Sequence, residues 1–209
     1  MHTEILFILD RSGSMAGLEK DTIGGFNSML QKQKQVEGSV TVTTILFDNE
    51  IEYLHDRLQL ADISPMTEQQ YYVRGATALL DAIGKAIDKM TNVQKGKKSA
   101  HKENVIVIIT TDGEENSSVL YSLPRIKKLI SSQKELGWEF IFLGANIDAV
   151  KTAQSLGLSK EEAVDYLADS TGTKVSFSAI SEAVHSVRTV GKKNSNWKAA
   201  VEEDFIQRS

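Results

Sequence analysis

The sequence predicts an α/β fold, in which a doubly wound, mostly parallel sheet of six strands with one antiparallel edge strand carries helices on both faces. Apolar runs of strand length alternate with segments of helical periodicity along the 209 residues. This alternation is typical of a parallel sheet covered by helices. Two strand-like runs lie only a few residues apart, too close for the crossover of a parallel pair, and therefore predict one antiparallel hairpin.

The first part of the chain supplies three strands and one helix of this prediction. Ile5–Leu9 is a continuous apolar run of strand length that ends at an acid. Residues 18–35 place Ile23, Phe26 and Leu30 on one helical face. The β-branched run "SVTVTTILF" and the run "IEYLHD" form the hairpin on either side of "DNE".

The middle of the chain predicts a helix and the most apolar strand. After "RGAT", the residues Leu79, Ile83, Ile87 and Met90 recur at a spacing of three or four, as on one face of a helix. A polar, basic connection, "NVQKGKKSAHKEN", leads to the strand "VIVIIT". This strand, like the first one, ends close to an acid, Asp112.

The last part continues the alternation of helix and strand. Residues 122–136 predict a helix with Pro124 in its first turn and Gly137 as its stop. "WEFIFLG" predicts a strand, "NIDAVKTAQSL" a helix closed by Gly157, and "SKEE" a capping box that starts a short helix. A final amphipathic helix is marked by Phe177, Ile180, Val184 and Val187.

The length fits one domain, which we assign to residues 1–191, followed by a C-terminal tail over residues 192–209. Trp197 and Phe205 in this tail are expected to pack on the domain or to be disordered.

Composition excludes several classes of function. The net charge of −4 argues against a nucleic-acid partner, which usually requires a basic face. The chain has no cysteine, so disulfides, zinc thiolate sites and cysteine nucleophiles are excluded. No apolar run approaches the roughly 20 residues that span a bilayer, and no signal peptide precedes the first strand. We therefore expect a cytoplasmic protein without a membrane partner.

Three predicted loops bring oxygen-bearing side chains to one edge of the sheet. They are "DRSGS" after the first strand, "RGAT" before a helix and "TTDGEE" after the fourth strand. In doubly wound folds, ligands bind at the carboxyl ends of the strands. The candidate metal ligands in these loops are Asp10, Ser12, Ser14, Thr77 and Asp112.

This oxygen-only set with two carboxylates suits a hard cation, Mg²⁺, with Mn²⁺ or Ca²⁺ as substitutes. Serine and threonine hydroxyls neutralise no charge on the ion. A cation held by Ser12, Ser14 and Thr77 therefore stays electrophilic and favours an additional carboxylate from outside the chain.

The order and spacing of these residues resemble the metal-ion-dependent adhesion site of von Willebrand factor type A domains. "DRSGS", the threonine of "GAT" and the aspartate of "TTDG" match its three parts, and the hairpin matches that family's antiparallel edge strand. By this resemblance, Ser12, Ser14 and Thr77 would be direct or near-direct ligands. Asp10 and Asp112 would bind directly or through water.

The resemblance covers residues 3–190 and implies a Rossmann-like fold. It also implies a protein partner whose Asp or Glu completes the coordination of the metal. The chain is similar to the small stand-alone type A proteins of bacteria and phages. A metal-dependent, non-enzymatic protein-binding module is the function that follows.

Simpler explanations exist for individual residues. "DRSGS" alone is compatible with a polar turn in which Ser14 caps the next helix, and Thr77 alone is more often a helix cap than a ligand. Glu114 and Glu115 are expected in a solvated loop.

The other charged residues are not expected to form sites. A basic run that precedes a strand, and so lies at the opposite end of the sheet, is expected to be a solvated loop; it comprises Lys95, Lys97, Lys98, His101 and Lys102. The histidines are scattered and are not expected to be ligands; they are His2, His55, His101 and His185.

An enzyme is the second class of function. Serine needs an adjacent base to act as a nucleophile, and no His, Lys or Cys stands near Ser12 or Ser14 in sequence. The alternative is a Mg²⁺-dependent phosphatase or phosphotransferase with Asp10 as nucleophile. In this respect the chain resembles the haloacid-dehalogenase phosphatases, but Ser12 stands where those enzymes usually carry a second acid.

Overall fold

The computed structural model describes residues 2–95 and 103–209. Its strands are β1 (Thr3–Asp10), β2 (Val40–Phe47), β3 (Ile51–Gln59), β4 (Asn104–Thr111), β5 (Glu139–Gly144) and β6 (Ala163–Asp165). Its α-helices are α1 (Glu19–Lys34), α2 (Leu79–Lys95), α3 (Leu123–Glu135), α4 (Ala149–Leu156), α5 (Ser170–Val190) and α6 (Ala199–Arg208). The predictions for Lys97, Lys98, His101 and Lys102 fall outside the described residues.

The strands form one six-stranded sheet in the order β3-β2-β1-β4-β5-β6. The β2–β3 pair is antiparallel, and the other four pairs are parallel. The strand order reverses at β1, which lies between β2 and β4. This arrangement confirms the predicted doubly wound, Rossmann-like sheet with one antiparallel edge strand.

Strand β1 lies at the centre of the core, and all eight of its residues are buried. Alternate side chains of a strand point to opposite faces of the sheet. Accordingly, Phe7 belongs to the apolar cluster that includes side chains of α1 and α5. Ile8 belongs to the cluster on the other face, with side chains of α2, α3 and α4. Helices thus cover both faces, as expected for a parallel sheet.

Three elements differ from the sequence prediction. The capping box of Ser159 and Glu162 is present, but the turn it starts is a single 3-10 turn that leads into β6. Strand β6 was not predicted, because three residues are too few to show a periodicity. Helix α6 was not predicted either, because residues 192–209 were assigned to a tail. Helix α5 begins at Ser170 and contains the four apolar residues that marked the predicted helix.

The segment after α5 packs back on the domain. Trp197 is buried, and its indole N–H donates to the carbonyl of Glu161 at 2.9 Å. Arg208, near the end of α6, forms an ion pair of 2.6 Å with Asp169 in front of α5. Among the described residues, none of the helices combines the length and the apolar character needed to cross a bilayer.

Candidate metal centre

The centre lies where the neighbouring parallel strands β1 and β4 end. Asp10 is the last residue of β1 and is fully buried. Its Oδ1 accepts a hydrogen bond from the backbone N–H of Ser12 at 2.7 Å, and its Oδ2 accepts one from Thr111 Oγ1 at 2.6 Å. Tyr71 Oη donates to the backbone carbonyl of Asp10 at 2.5 Å. The carboxylate is therefore fixed in position by both strands and by the turn that follows β1.

A chain of short contacts joins the loop after β1 to the loop after β4. Ser12 Oγ lies 3.1 Å from Ser14 Oγ. Ser14 Oγ in turn donates to Asp112 Oδ1 at 2.6 Å. Ser12 and Asp112 are buried, whereas Ser14 is exposed. The predicted hydroxyls and the second carboxylate thus lie together, with the serine of the outer turn facing solvent.

Thr77 reaches the same place from the loop before α2. A Cβ atom built on Gly113 would lie 3.1 Å from both Ser14 Oγ and Thr77 Oγ1, and 4.0 Å from Ser12 Oγ. All three hydroxyls therefore surround the space beside the Gly113 backbone. The structure brings all five predicted residues to one point of the sheet edge, although three separate loops carry them.

The centre carries negative charge in a buried place. The pKa of Asp10 is raised to about 6: burial is the main cause and the neighbouring Asp112 also raises the pKa, while hydrogen bonds from Thr111 and Ser12 lower it. Burial also raises the pKa of Asp112. Burial disfavours a charged form that has no opposite charge close by. The two carboxylates are thus in a position where a cation would be favourable.

The residues fit a hard divalent cation. Asp112 Oδ2 is buried and has no hydrogen-bond partner within residues 2–95 and 103–209. A buried carboxylate oxygen without a partner is costly, and a bound ion would supply the missing interaction. The donor atoms are carboxylate and hydroxyl oxygens, which Mg²⁺ and Mn²⁺ accept and which suit zinc less well.

A second polar cluster, with Arg11 and Asp48 buried at its centre, adjoins the metal centre and fixes its loops. Arg11 is fully buried; its Nε donates to Asp48 Oδ2 at 3.0 Å and its Nη1 to Glu52 Oε2 at 2.7 Å. Arg74 donates to the same Asp48 oxygen at 2.7 Å and also pairs with Glu50. We call these five residues the arginine cluster. It ties the turn after β1 to the β2–β3 turn and to the loop that carries Thr77.

Backbone contacts strengthen the same connection. The N–H of Gly13 donates to the carbonyl of Gly75 at 3.1 Å, and the N–H of Arg74 donates to the carbonyl of Arg11 at 2.9 Å. Gly75 has φ of +67°, and a Cβ there would lie 2.0 Å from Asn49 Oδ1. Glycine is therefore required both by the backbone conformation and by the close approach of the β2–β3 turn.

The loop over residues 113–121 is exposed or half-buried, and Glu114 is exposed as predicted, but acidic side chains also hold the loop in place. Glu115 accepts hydrogen bonds from the backbone N–H groups of Leu80 at 2.8 Å and Ser118 at 2.7 Å. Asp81 accepts three more, from Val119, Leu120 and Tyr121. The prediction for Glu115 was wrong, because its carboxylate satisfies backbone donors of its own loop and of the first turn of α2.

Sequence reasoning missed Thr111 and Asp48. Thr111 directly precedes Asp112, and its hydroxyl fixes Asp10. Asp48 directly follows β2, and so it lies at the same sheet edge as Asp10 and Asp112. Asp10 and Asp112 were selected because they lie at the carboxyl ends of strands. The same criterion also selects Asp48.

None of the described histidines lies at this centre. His55 contacts Thr44 in the hairpin at 3.0 Å. His2 lies near Glu4 and Glu103 at the opposite end of β1 and β4, and His101 is outside the described residues. The absence of histidine among the described residues of the centre agrees with its oxygen-only donor set.

Comparison with solved structures finds the same fold in several proteins. The von Willebrand factor domain of the type V pilus tip protein Mfa5 from Porphyromonas gingivalis aligns with a TM-score of 0.65 at 10% identity, over 92% of this chain and 98% of that one. The pilus adhesin SpaC from Lactobacillus rhamnosus GG aligns with a TM-score of 0.66 at 13% identity, over 89% of this chain and 30% of that one.

The proximal thread matrix protein 1 of the mussel byssus also aligns, in a form with a zinc-occupied MIDAS motif. The TM-score is 0.58 at 13% identity, over 88% of this chain. The chain spans about half the length of that protein, 46%. At such identities the likeness shows the fold alone.

Sequence comparison with curated proteins finds no match. The family model of the von Willebrand factor type A domain, in contrast, matches residues 4–179. This match covers most of the chain, including all three loops of the centre. The chain belongs to the von Willebrand factor type A domain family.

Proposed function

We propose that the chain is a non-enzymatic, metal-dependent binding module that captures an acidic side chain of a protein partner. The proposed ligands of the divalent cation are Asp10, Ser12, Ser14, Thr77 and Asp112. The single observation that carries the proposal is the convergence of three hydroxyls and a buried carboxylate oxygen without a partner beside the Gly113 backbone. Mg²⁺ is the proposed ion, with Mn²⁺ or Ca²⁺ as substitutes.

Each residue has a distinct part in this proposal. Asp10 and Asp112 supply the negative charge, and Thr111 and the Ser12 N–H fix the orientation of Asp10. Ser12, Ser14 and Thr77 supply neutral oxygens. The cation, when bound, supplies a Lewis-acidic position for a carboxylate. Ser14 is exposed, which leaves the outer side of the centre open to a partner.

Metal-occupied relatives support the metal part of the proposal. One similar structure has zinc in its MIDAS motif, and another is the manganese-loaded TRAP protein of Plasmodium vivax, which aligns with a TM-score of 0.57 at 16% identity over 84% of this chain and 73% of that one. Both carry a divalent ion on the fold that this chain shares. The oxygen-only donor set of this chain favours Mg²⁺ or Mn²⁺ over zinc.

The geometry of Asp10 speaks against the phosphatase alternative. Both carboxylate oxygens accept hydrogen bonds, and the side chain is fully buried. A nucleophilic aspartate needs an oxygen that faces the substrate. We expect no Mg²⁺-dependent hydrolysis of para-nitrophenyl phosphate above that of the Asp10→Asn variant. Turnover that Asp10→Asn abolishes would favour the enzyme instead.

Calorimetric titration with MgCl₂ and MnCl₂ tests the metal centre. Wild type should bind one ion per chain, and Asp112→Ala should bind it more weakly while remaining folded. Ser117→Ala is a matched control, because Ser117 lies in the adjacent loop and its buried hydroxyl has no hydrogen-bond partner among the described residues. Equal affinities of wild type and Asp112→Ala would remove Asp112 from the centre.

The partner is tested by capture from a native lysate with Mg²⁺ and again with EDTA, followed by surface plasmon resonance. Removing the partner's critical acid should cost about 2–5 kcal/mol of binding free energy, as for truncation of one member of a buried charge pair. Thr77→Ala should weaken partner binding more than metal binding, since other ligands remain. Affinity that survives both EDTA and Thr77→Ala would show that the metal is not the recognition element.

We also propose a cytoplasmic, bacterial-type protein that uses neither nucleic acid nor a membrane as partner. The absence of cysteine is compatible with a reducing compartment, and the net charge of −4 does not favour a polyanion. Fractionation of expressing cells followed by immunoblotting tests the location.

A further inference from the structure

A groove of about 370 Å³ lies on the surface between α1 and α5. None of the five candidate metal ligands lines it. Its volume is in the range of pockets that hold small molecules. The function proposed above does not use this groove.

The two helices run side by side in the same direction. Ser170 Oγ donates to Asp21 at 2.6 Å near the start of both helices. About three turns further, Gln33 Nε2 donates to Ser181 Oγ at 3.1 Å. The groove opens between these two contacts, which hold it at both ends.

The walls of the groove repeat at a spacing of four residues. The wall on α1 is Gly24, Ser28 and Lys32, and the wall on α5 is Ser170, Lys174 and Ser178. Residues four apart lie on one face of a helix. Each wall therefore presents small or hydroxyl side chains and one lysine to the same space.

The floor of the groove is apolar and closely packed. Met29 and Phe177 form it, and both are buried. A Cβ on Gly25 would lie 2.3 Å from a ring carbon of Phe177. Glycine at position 25 is thus explained by the packing of the ring against α1.

Close packing does not explain the glycine at position 24. A Cβ at this position would meet no atom within 4 Å, since it would project into open space. Glycine in the interior of a helix lowers helix stability relative to alanine. The residue keeps the groove open at this point, although the packing of the described fold does not require it.

The charge of the groove is positive. Lys32 and Lys174 are exposed, and neither forms an ion pair with any described residue. The one acid in the lining, Asp21, accepts the hydrogen bond from Ser170.

We propose that this groove binds a small organic anion. The apolar body of the anion lies over Phe177 and Met29, and its anionic group is held by Lys32 and Lys174 with hydroxyls of the wall serines. The proposal is independent of the metal centre.

Fluorescence titration with anilinonaphthalene sulfonate tests this proposal on the full chain in the presence of EDTA. Wild type should bind one molecule per chain. The double variant Lys32→Glu/Lys174→Glu should bind the probe at least about tenfold more weakly, because two attractive charges become repulsive. The control Lys20→Glu/Lys151→Glu changes the net charge equally at exposed lysines outside the groove, and its affinity should stay within about twofold of wild type.

Two further comparisons separate the apolar and the charged contributions. Phenylnaphthylamine, which lacks the sulfonate, should bind wild type and the Lys32→Glu/Lys174→Glu variant equally. Gly24→Leu places an apolar side chain in the groove, at a position where its Cβ would meet no atom within 4 Å, and should weaken binding of both probes. Circular dichroism and urea unfolding confirm that the variant is folded. The proposal is overturned if Gly24→Leu binds both probes like wild type. It is also overturned if charge reversal leaves sulfonate binding unchanged, or weakens both probes equally.

Discussion

Two polar clusters adjoin at the carboxyl edge of the sheet, and they differ in their balance of charge. In the arginine cluster, the carboxylates of Asp48, Glu50 and Glu52 face the guanidinium groups of Arg11 and Arg74. In the metal centre, Asp10 and Asp112 contact hydroxyls and backbone N–H groups and form no ion pair with a described residue. In the first cluster, two guanidinium groups of the chain balance two of the three carboxylates, whereas the second cluster has no positive side chain and would gain its opposite charge from a cation or a proton.

The difference assigns separate tasks to neighbouring residues of one motif. In "DRSGS", Arg11 points into the arginine cluster, and Asp10, Ser12 and Ser14 point to the metal centre. Arg11 thus holds the turn in place, and the residues on either side present the oxygens. The comparison predicts that substitutions in the arginine cluster change the stability of the protein whether or not metal is present. It also predicts that the contribution of the metal centre to stability depends on metal and on pH.

The largest expected effect on the free energy of unfolding comes from removing the side chain of Arg11. Arg11→Ala leaves Asp48 and its neighbours without a buried opposite charge, and we expect a loss of about 3–5 kcal/mol in the free energy of unfolding measured with urea. The loss should be the same with Mg²⁺ and with EDTA. Arg74→Ala, which removes a guanidinium of 38% exposure from the same carboxylate, should cost much less. Equal losses in the two variants would contradict the assignment.

The second effect is the pH dependence of the metal-free protein. The pKa of Asp10 is raised to about 6 in the folded protein, so the folded state binds more protons than the unfolded state between about pH 4 and pH 6. The resulting stabilisation is present below the unfolded pKa and is lost as the pH rises through about 6. The rise of the pKa from its ordinary value of 3.8 corresponds to about 3 kcal/mol.

Urea unfolding of wild type and Asp10→Asn between pH 4 and pH 7.5 in EDTA measures this difference. The stability of wild type relative to Asp10→Asn should decrease with rising pH. Saturating Mg²⁺ should reverse the loss near neutral pH. Parallel pH curves for the two proteins would show that Asp10 is charged in the folded state at all of these pH values.

The third effect is stabilisation by metal. A ligand at about 100 times its Kd adds about 2.7 kcal/mol to the free energy of unfolding. We expect this increment from Mg²⁺ in wild type and in Arg74→Ala, but not in Asp112→Asn. Thermal unfolding with and without EDTA measures it. An increment in Asp112→Asn as large as in wild type would place the ion elsewhere.

The smallest effect is steric. The methyl group of Gly113→Ala would lie 3.1 Å from Ser14 Oγ and Thr77 Oγ1, so it would reduce the space among the three hydroxyls. We expect about tenfold weaker Mg²⁺ binding, about 1.4 kcal/mol, by calorimetry. Gly13→Ala is the matched control in the neighbouring loop, where the methyl group would lie 3.4 Å from the Gly75 carbonyl. Equal affinities of the two variants would indicate that the space beside Gly113 is not used.

Five of the six strands could be predicted: four form runs of apolar or β-branched residues, and β3 follows β2 at the short distance of a hairpin. The positions of Asp10 and Asp112 follow from the same runs, since the carboxyl ends of neighbouring parallel strands meet at one edge. Thr77 could be placed there because it precedes a strongly periodic helix. Strand β6 has only three residues and carries no periodic signal.

The contacts that fix the loops could not be predicted, because they join residues that are distant in sequence and lack a pattern. Arg11 and Asp48 are 37 positions apart, and either residue alone resembles an ordinary charged residue of a turn. Glu115 and Asp81 accept hydrogen bonds from backbone N–H groups. Every residue except proline has such a group, so the sequence does not show which of them will be the donors. Glu115 was therefore assigned to solvent, although its carboxylate organises the loop beside the centre.

The pairing of β1 with β4 also determines when the centre can form during synthesis of the chain. Asp10 and Thr111 are separated by 101 positions, and Ser14 and Asp112 by 98. Half of the chain must therefore leave the ribosome before the loop after β1 meets its counterpart, and contacts of such long range form slowly. Before that, β1 can pair with β2, and Arg11 can bind Asp48 and Glu52 of the β2–β3 hairpin. The arginine cluster can therefore begin to form before β4 is synthesised, whereas the metal centre cannot.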